Sequence, residues 1–147
     1  MIFLGVLKTT KNRVMFYARL SSTKTLHFHS TIKFNVVVTN EGGHYNPGDG
    51  VFVAPVSGAY LFSWTALTYD SNYEFTELRV ENVVRASVVS SGTGGQYSPG
   101  TTTLVCHVDK GDHVWVETSG GSPTNYLYDW GEDTTSFMGL LIHEDDE

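Results

Sequence analysis

Gly58-Ala59-Tyr60-Leu61-Phe62-Ser63-Trp64-Thr65-Ala66 decides the fold class. Successive side chains on an extended strand point to opposite faces, so Tyr60, Phe62, Trp64 and Ala66 share one apolar face while Leu61, Ser63 and Thr65 take the other. The aromatic face is the candidate core. Working outward, further strand-forming runs recur about every ten residues: 14–20, 34–39, 75–81, 84–89, 102–108, 113–117, 126–130 and 136–143. Between them lie turn-forming clusters: Asn40-Glu41-Gly42-Gly43, Asn46-Pro47-Gly48-Asp49-Gly50, residues 91–100, Asp109-Lys110-Gly111-Asp112 and Gly120-Gly121-Ser122-Pro123. Gly, Asn, Asp and Pro each favour the backbone angles a reversal needs. No helical period and no fixed repeat interrupts the pattern, which predicts an all-β sandwich or barrel.

The chain has 147 residues, the size of one domain. Its low charged fraction of 17% and 40% apolar content argue against disorder and coiled coil. Charge is unevenly spread. Residues 1–33 hold six of the nine basic groups (Lys8, Lys11, Arg13, Arg19, Lys24, Lys33) and no acid, while 34–147 hold all 16 carboxylates against Arg79, Arg85 and Lys110, a balance of −13. That field disfavours nucleic acid, whose phosphates need clustered cations, and suits a neutral or cationic ligand. Cys106 is the sole cysteine, so no intrachain disulfide can form. Met1 to Leu7 is apolar for seven residues only, too short for a membrane span and without a signal-peptide pattern. Residues 1–13 are expected to be a basic lead or tail, and 14–147 the globular domain. The lead is a solvated tail, a disordered arm or an oligomer contact.

Several of these residues sit at the spacing of a known family signature: Phe34, Asn40, Tyr45, Phe52, Gly58, Tyr60 and Phe62, with Trp64 closing the motif where Phe or Tyr is usual. Upstream, Phe16-Tyr17-Ala18-Arg19-Leu20 is similar to the family's first strand. Downstream, Lys110-Gly111-Asp112-His113-Val114-Trp115 is similar to its Gly-Asp-x-Val-Trp segment, and Ser136-Phe137-Met138-Gly139-Leu140-Leu141 to its closing strand. The chain resembles the globular domain of complement C1q and its relatives in the C1q and tumour necrosis factor superfamily over about residues 14–143. The resemblance implies a ten-stranded antiparallel jelly-roll sandwich assembled as a homotrimer. A trimer also accounts for a final strand that is apolar on both faces. Residues 1–33 contain only Gly5, so the collagen stalk of many members is not present in them.

No enzyme motif is found: no Gly-x-Ser-x-Gly elbow, phosphate loop or His-Glu-x-x-His. His27 and His29 share a face of an extended segment but have no third zinc ligand nearby in sequence, and Cys106, in phase with Leu104 and Val108, is expected to be a buried, reduced core thiol. Some relatives bind calcium through carboxylates in the loop that corresponds to residues 90–98. That loop is carboxylate-free here, so no cofactor is expected, and Asp129, Glu132 and Asp133 are the remaining calcium candidates.

Three functions are compatible with such a trimer. One is a secreted, lectin-like pattern-recognition protein of innate immunity that binds glycans or microbial surface molecules multivalently. The second is a cytokine- or hormone-like receptor ligand, and the third a structural extracellular trimer. Loops rich in Asn, Ser, Thr, Gly and aromatics favour the first. The candidate ligand site is Asn125, Tyr128, Asp129, Trp130 and Asp133, with Tyr69, Asp70, Asn72 and Tyr73 as a second polar-aromatic loop. The competing reading makes Tyr126, Tyr128 and Trp130 one buried strand face.

Overall fold

The structure is a computed structural model and describes residues 12–120, 124–130 and 134–146. The basic lead at residues 1–11, and with it the larger part of the 1–13 segment, lies outside the described residues. Among the described residues twelve strands follow one another: β1 (Met15–Arg19), β2 (Lys24–His27), β3 (Val36–Glu41), β4 (Tyr45–Asn46), β5 (Val51–Val53), β6 (Gly58–Tyr69), β7 (Tyr73–Val80), β8 (Val83–Ser91), β9 (Tyr97–Val108), β10 (His113–Thr118), β11 (Thr124–Leu127) and β12 (Ser136–Glu144). Ten of them form two five-stranded antiparallel sheets, in the orders β3-β1-β12-β6-β9 and β4-β5-β10-β7-β8. The other two, β11 and β2, pair with each other. The ten-stranded sandwich is therefore present, with one additional strand pair.

The core lies between the sheets, and the aromatic signature fills it. Phe34, Tyr45, Phe52, Tyr60, Phe62, Trp64 and Phe137 are all fully buried. Phe16 stacks on Tyr45 at 4.9 Å between centroids, and Phe137 meets Phe16 edge-on at 4.9 Å. Offset and edge-to-face geometries are those that aromatic quadrupoles favour. Packing is tight enough that Gly139 has no room for a side chain: an added Cβ would lie 2.5 Å from Phe16 Cε1 and 2.7 Å from Phe62 Cδ1. The polar ends of the buried rings are satisfied. Tyr45 donates to the Phe34 carbonyl at 2.8 Å, Tyr60 to that of Val56 at 2.7 Å, and Trp64 Nε1 to Thr76 Oγ1 at 2.8 Å. Asn40 closes the turn before β4, its Nδ2 donating to the Tyr45 carbonyl at 2.8 Å and its Oδ1 accepting from Tyr45 N at 3.2 Å.

The outer face of the first sheet is ordered by register. Met15 pairs with Leu140, Leu140 with Leu61, and Leu61 with Val105, giving an outward apolar row across four strands. Two residues along, Ser63 bonds Thr103 at 2.8 Å and Thr65 bonds Thr101 at 2.9 Å, hydroxyl to hydroxyl. Val105 is 59% and Met15 41% exposed, so this face is apolar and uncovered at one end and polar at the other.

Three strand expectations need correction. The segment expected at 34–39 runs from Val36 to Glu41, because Asn35 turns aside to bond Ser21. The turn expected at 91–100 is partly strand, since β9 begins at Tyr97. Pro99 is accommodated because β9 is the edge of its sheet, where no neighbour calls for the missing N–H. The strand expected at 126–130 is β11, Thr124–Leu127, and its buried face is Asn125 and Leu127, not the Tyr126-Tyr128-Trp130 phase.

Candidate binding site

Beyond β11 the chain becomes a strap fastened from both sides. Tyr128 N donates to the Leu67 carbonyl at 2.7 Å, Asp129 N to Thr23 Oγ1 at 3.0 Å, and Trp130 N to Thr134 Oγ1 at 3.0 Å. Thr135 ties the strap to β6, donating to the Tyr128 carbonyl at 3.0 Å while accepting from Leu67 N at 3.1 Å. These bonds fix the backbone that carries Tyr128 and Trp130. The adjacent loops are tied as well: Asp70, in the left-handed region at φ 61°, accepts from Gly95 N at 2.7 Å and donates its own N–H to Gln96 O at 2.9 Å. Asn72 Nδ2 caps the Tyr69 carbonyl at 2.8 Å, and its own carbonyl accepts from Gly92 N at 2.9 Å.

On this frame the rings form a continuous aromatic platform. Centroids of Tyr97 and Trp130 lie 4.3 Å apart, Tyr69 and Tyr97 4.4 Å, Tyr97 and Tyr128 5.3 Å, and Tyr69 and Tyr128 5.4 Å. Trp130 is 59% and Tyr97 39% exposed. Desolvation under the neighbouring rings, then the hydrogen bond to Tyr128 and the nearby phenols, pushes the Tyr97 hydroxyl up to about 12. It stays protonated and able to donate at any physiological pH.

The two groups of residues singled out in the sequence thus meet: Tyr69 and Asp70 from the end of β6 stand beside Tyr128, Asp129 and Trp130 from the strap. Tyr97 joins them, although the sequence placed it in a turn. Tyr73 points elsewhere, 6.2 Å from Phe75 on the second sheet. Asn125 is a correction. It is fully buried, and its Oδ1 accepts from Phe75 N at 2.8 Å, so it anchors β11 to β7 and has no surface to offer a ligand. Asp133 and Glu132 lie outside the described residues, and with them most of the calcium set built on Asp129.

Two further groups of potentially reactive side chains lie away from these rings. His27 and His29 do not act as a pair: His29 turns to Glu117, Nδ1 to Oε2 3.3 Å, which with Glu77 brings three possible metal-ligand atoms within 4.8 Å of one another. Arg79 already fills that position, its guanidinium 2.6 Å from Glu77 Oε1 and 3.4 Å from Glu117 Oε2, and its charge neutralises the carboxylates a metal would need. Cys106 is a free thiol that packs on the core only in part, not fully buried as expected, because β9 is an edge strand. Desolvation still raises its pKa.

A family model described as the C1q domain matches residues 15–142, nearly the whole chain. The chain belongs to the C1q domain family. It is 29% identical over 111 residues to complement C1q and tumor necrosis factor-related protein 9 of Mus musculus, an alignment covering 76% of this chain and 33% of that protein. The chain thus spans about a third of the length of that curated relative. Among solved structures, the globular domain of a zebrafish complement 1qA protein superposes with a TM-score of 0.74 at 19% identity, covering 91% of this chain and 100% of that one. A tumour necrosis factor structure, Eiger of S. frugiperda, gives 0.74 at 9% identity over 92% and 96%. These likenesses establish the jelly roll. C1q domains are non-enzymatic signalling or recognition modules. No helix of the described residues is long and apolar enough to cross a membrane.

Proposed function

We propose that the chain is the recognition head of a secreted homotrimeric protein that binds glycans or microbial surface molecules through its aromatic platform. One observation carries the reading: Trp130 is 59% exposed, yet its backbone is tied down and its ring rests on Tyr97 at 4.3 Å. A large ring held in water on a rigid frame costs little further ordering when a ligand arrives. Its face suits the C–H side of a sugar ring, and the surrounding phenol hydroxyls suit sugar hydroxyls. Such sites are weak singly, and three on one trimer gain by effective concentration. The apolar row Met15-Leu140-Leu61-Val105 supports the trimer, since it is the surface that subunits would cover.

A second reading, a cytokine- or hormone-like receptor ligand, is favoured by the C1q/tumour-necrosis-factor-related sequences and the shared fold. A glycan array probed with the wild type and Trp130→Ala separates the two. Selective sugar binding lost in a folded Trp130→Ala protein supports the lectin. Silence across the array, with saturable binding to cells that survives glycosidase treatment, supports the receptor ligand.

A further inference from the structure

Between β1 and β3 the chain makes an excursion, residues 20–35, that encloses a cleft of about 520 Å³ on the flank of the sandwich. Its accessible apolar surface is that of half-buried Leu26, which packs against the core, and beneath it lie the core residues Leu20 and Ile32, 1% exposed each. Ser30 and Thr31 line one side, and the exposed side chains of Lys24 and Lys33 complete the lining. The volume is that of a small-molecule site.

The walls are fixed in several ways. Ser21 N donates to Asn35 Oδ1 at 3.1 Å and Asn35 Nδ2 to Ser21 Oγ at 2.9 Å, which latches the two ends of the excursion together. The register of β2 with β11, Lys24 opposite Leu127, holds one wall, and Ile32 N bonded to the Val116 carbonyl at 2.9 Å holds the other. Gly50, at φ 79°, presses against that second wall. A Cβ there would collide with the Ile32 carbonyl oxygen and lie 3.2 Å from Lys33 Cα, so only glycine permits the contact.

The electrostatics are equally particular. Lys24 and Lys33 are two of the three lysines among the described residues, the other being Lys110. Neither has a carboxylate partner among the described residues. Residues 12–33 contain no acid, in a protein that carries −7 overall. Two ammonium groups without a carboxylate partner among the described residues, flanking the accessible face of Leu26, are what an amphiphile with a single anionic headgroup would complete, because its hydrocarbon can lie along Leu26 and the lysine stems and its charge can meet the lysines.

From these features we infer that the cleft binds a small amphiphilic carboxylate of the fatty-acid class, at a site separate from the aromatic platform. The probe is decanoate, held below its micellar range, with decanol as the neutral counterpart, titrated calorimetrically into the full chain. The expected result is one decanoate per chain, weakened about tenfold or more by Lys24→Gln/Lys33→Gln and by added salt, with decanol weak throughout. Methyl NMR shifts should concentrate on Leu20, Leu26 and Ile32, and Trp130→Ala should leave the affinity unchanged. Both lysines are exposed, so the double variant should fold, and circular dichroism checks it. The inference is overturned if decanoate does not bind, if decanol binds equally well, if the double variant binds like the wild type, or if Trp130→Ala abolishes binding.

Discussion

At the scale of single residues, Glu74 stands out because it is a carboxylate inside the sandwich. It accepts from Thr76 Oγ1 and Ser90 Oγ, each at 2.6 Å, and Thr76 in turn accepts from Trp64. Burial, opposed in part by those two hydrogen bonds, raises its pKa from 4.5 to about 7. The folded state therefore binds the proton more tightly than the unfolded chain does. The contribution to stability is complete below about pH 4.5, declines as pH rises toward 7, and is lost above it. Urea unfolding at pH 5 and pH 8 should show the wild type losing about 2–3 kcal/mol more over that interval than Glu74→Gln. Equal slopes for the two proteins would mean that Glu74 is ionised in the fold. Cys106 tests a subtler point of burial. Half-covered on an edge strand, it should react with thiol reagents in the native protein several-fold more slowly than after denaturation, and Cys106→Ala should cost about 1 kcal/mol.

At the scale of elements, β11 and the strap after it separate folding from binding. Leu127 is fully buried and Trp130 is largely exposed only three positions later. Leu127→Ala should therefore lower stability by about 2–5 kcal/mol, whereas Trp130→Ala should change the urea midpoint little while removing ligand binding. The same region shows how far sequence alone carries. The strands of the core were legible because Tyr60, Phe62, Trp64 and Phe137 are large and in strict phase, and a one-residue slip would turn them all outward. Strands β2, β4 and β5 are too short to display a period, and Tyr97 was hidden among Gly, Ser and Pro residues that read as a turn. Asn125 reads as a surface amide because one that satisfies a buried backbone N–H has the same sequence appearance as one that meets a sugar. Two carboxylates from outside the 90–98 segment are bonded to it, Glu74 accepting from Ser90 Oγ and Asp70 from Gly95 N. Melting temperatures in calcium and in chelator are expected to coincide, and a rise of several degrees in calcium would reveal a site elsewhere.

At the scale of the whole molecule, the outer face of the first sheet makes the oligomer a matter of measurement. Light scattering at micromolar concentration should give a trimer, and Val105→Glu, on an exposed edge position in the apolar row, should give folded monomers with unchanged circular dichroism. A monomeric wild type would leave the multivalent reading without its basis. The order of strands in that sheet has a further consequence, in time as opposed to space. Strand β12 is inserted between β1 and β6, so the first strand of the domain has no partner on that side until the last has been made. While the chain is being synthesised, the open edges of β1 and β6 and the slot for Phe137 remain exposed, however much of the rest has emerged. Folding of this domain must then be a single late event, slow for its size because its decisive contacts join opposite ends of the sequence, and a nascent chain stalled before Ser136 would leave an aggregation-prone fragment, not a smaller version of the fold.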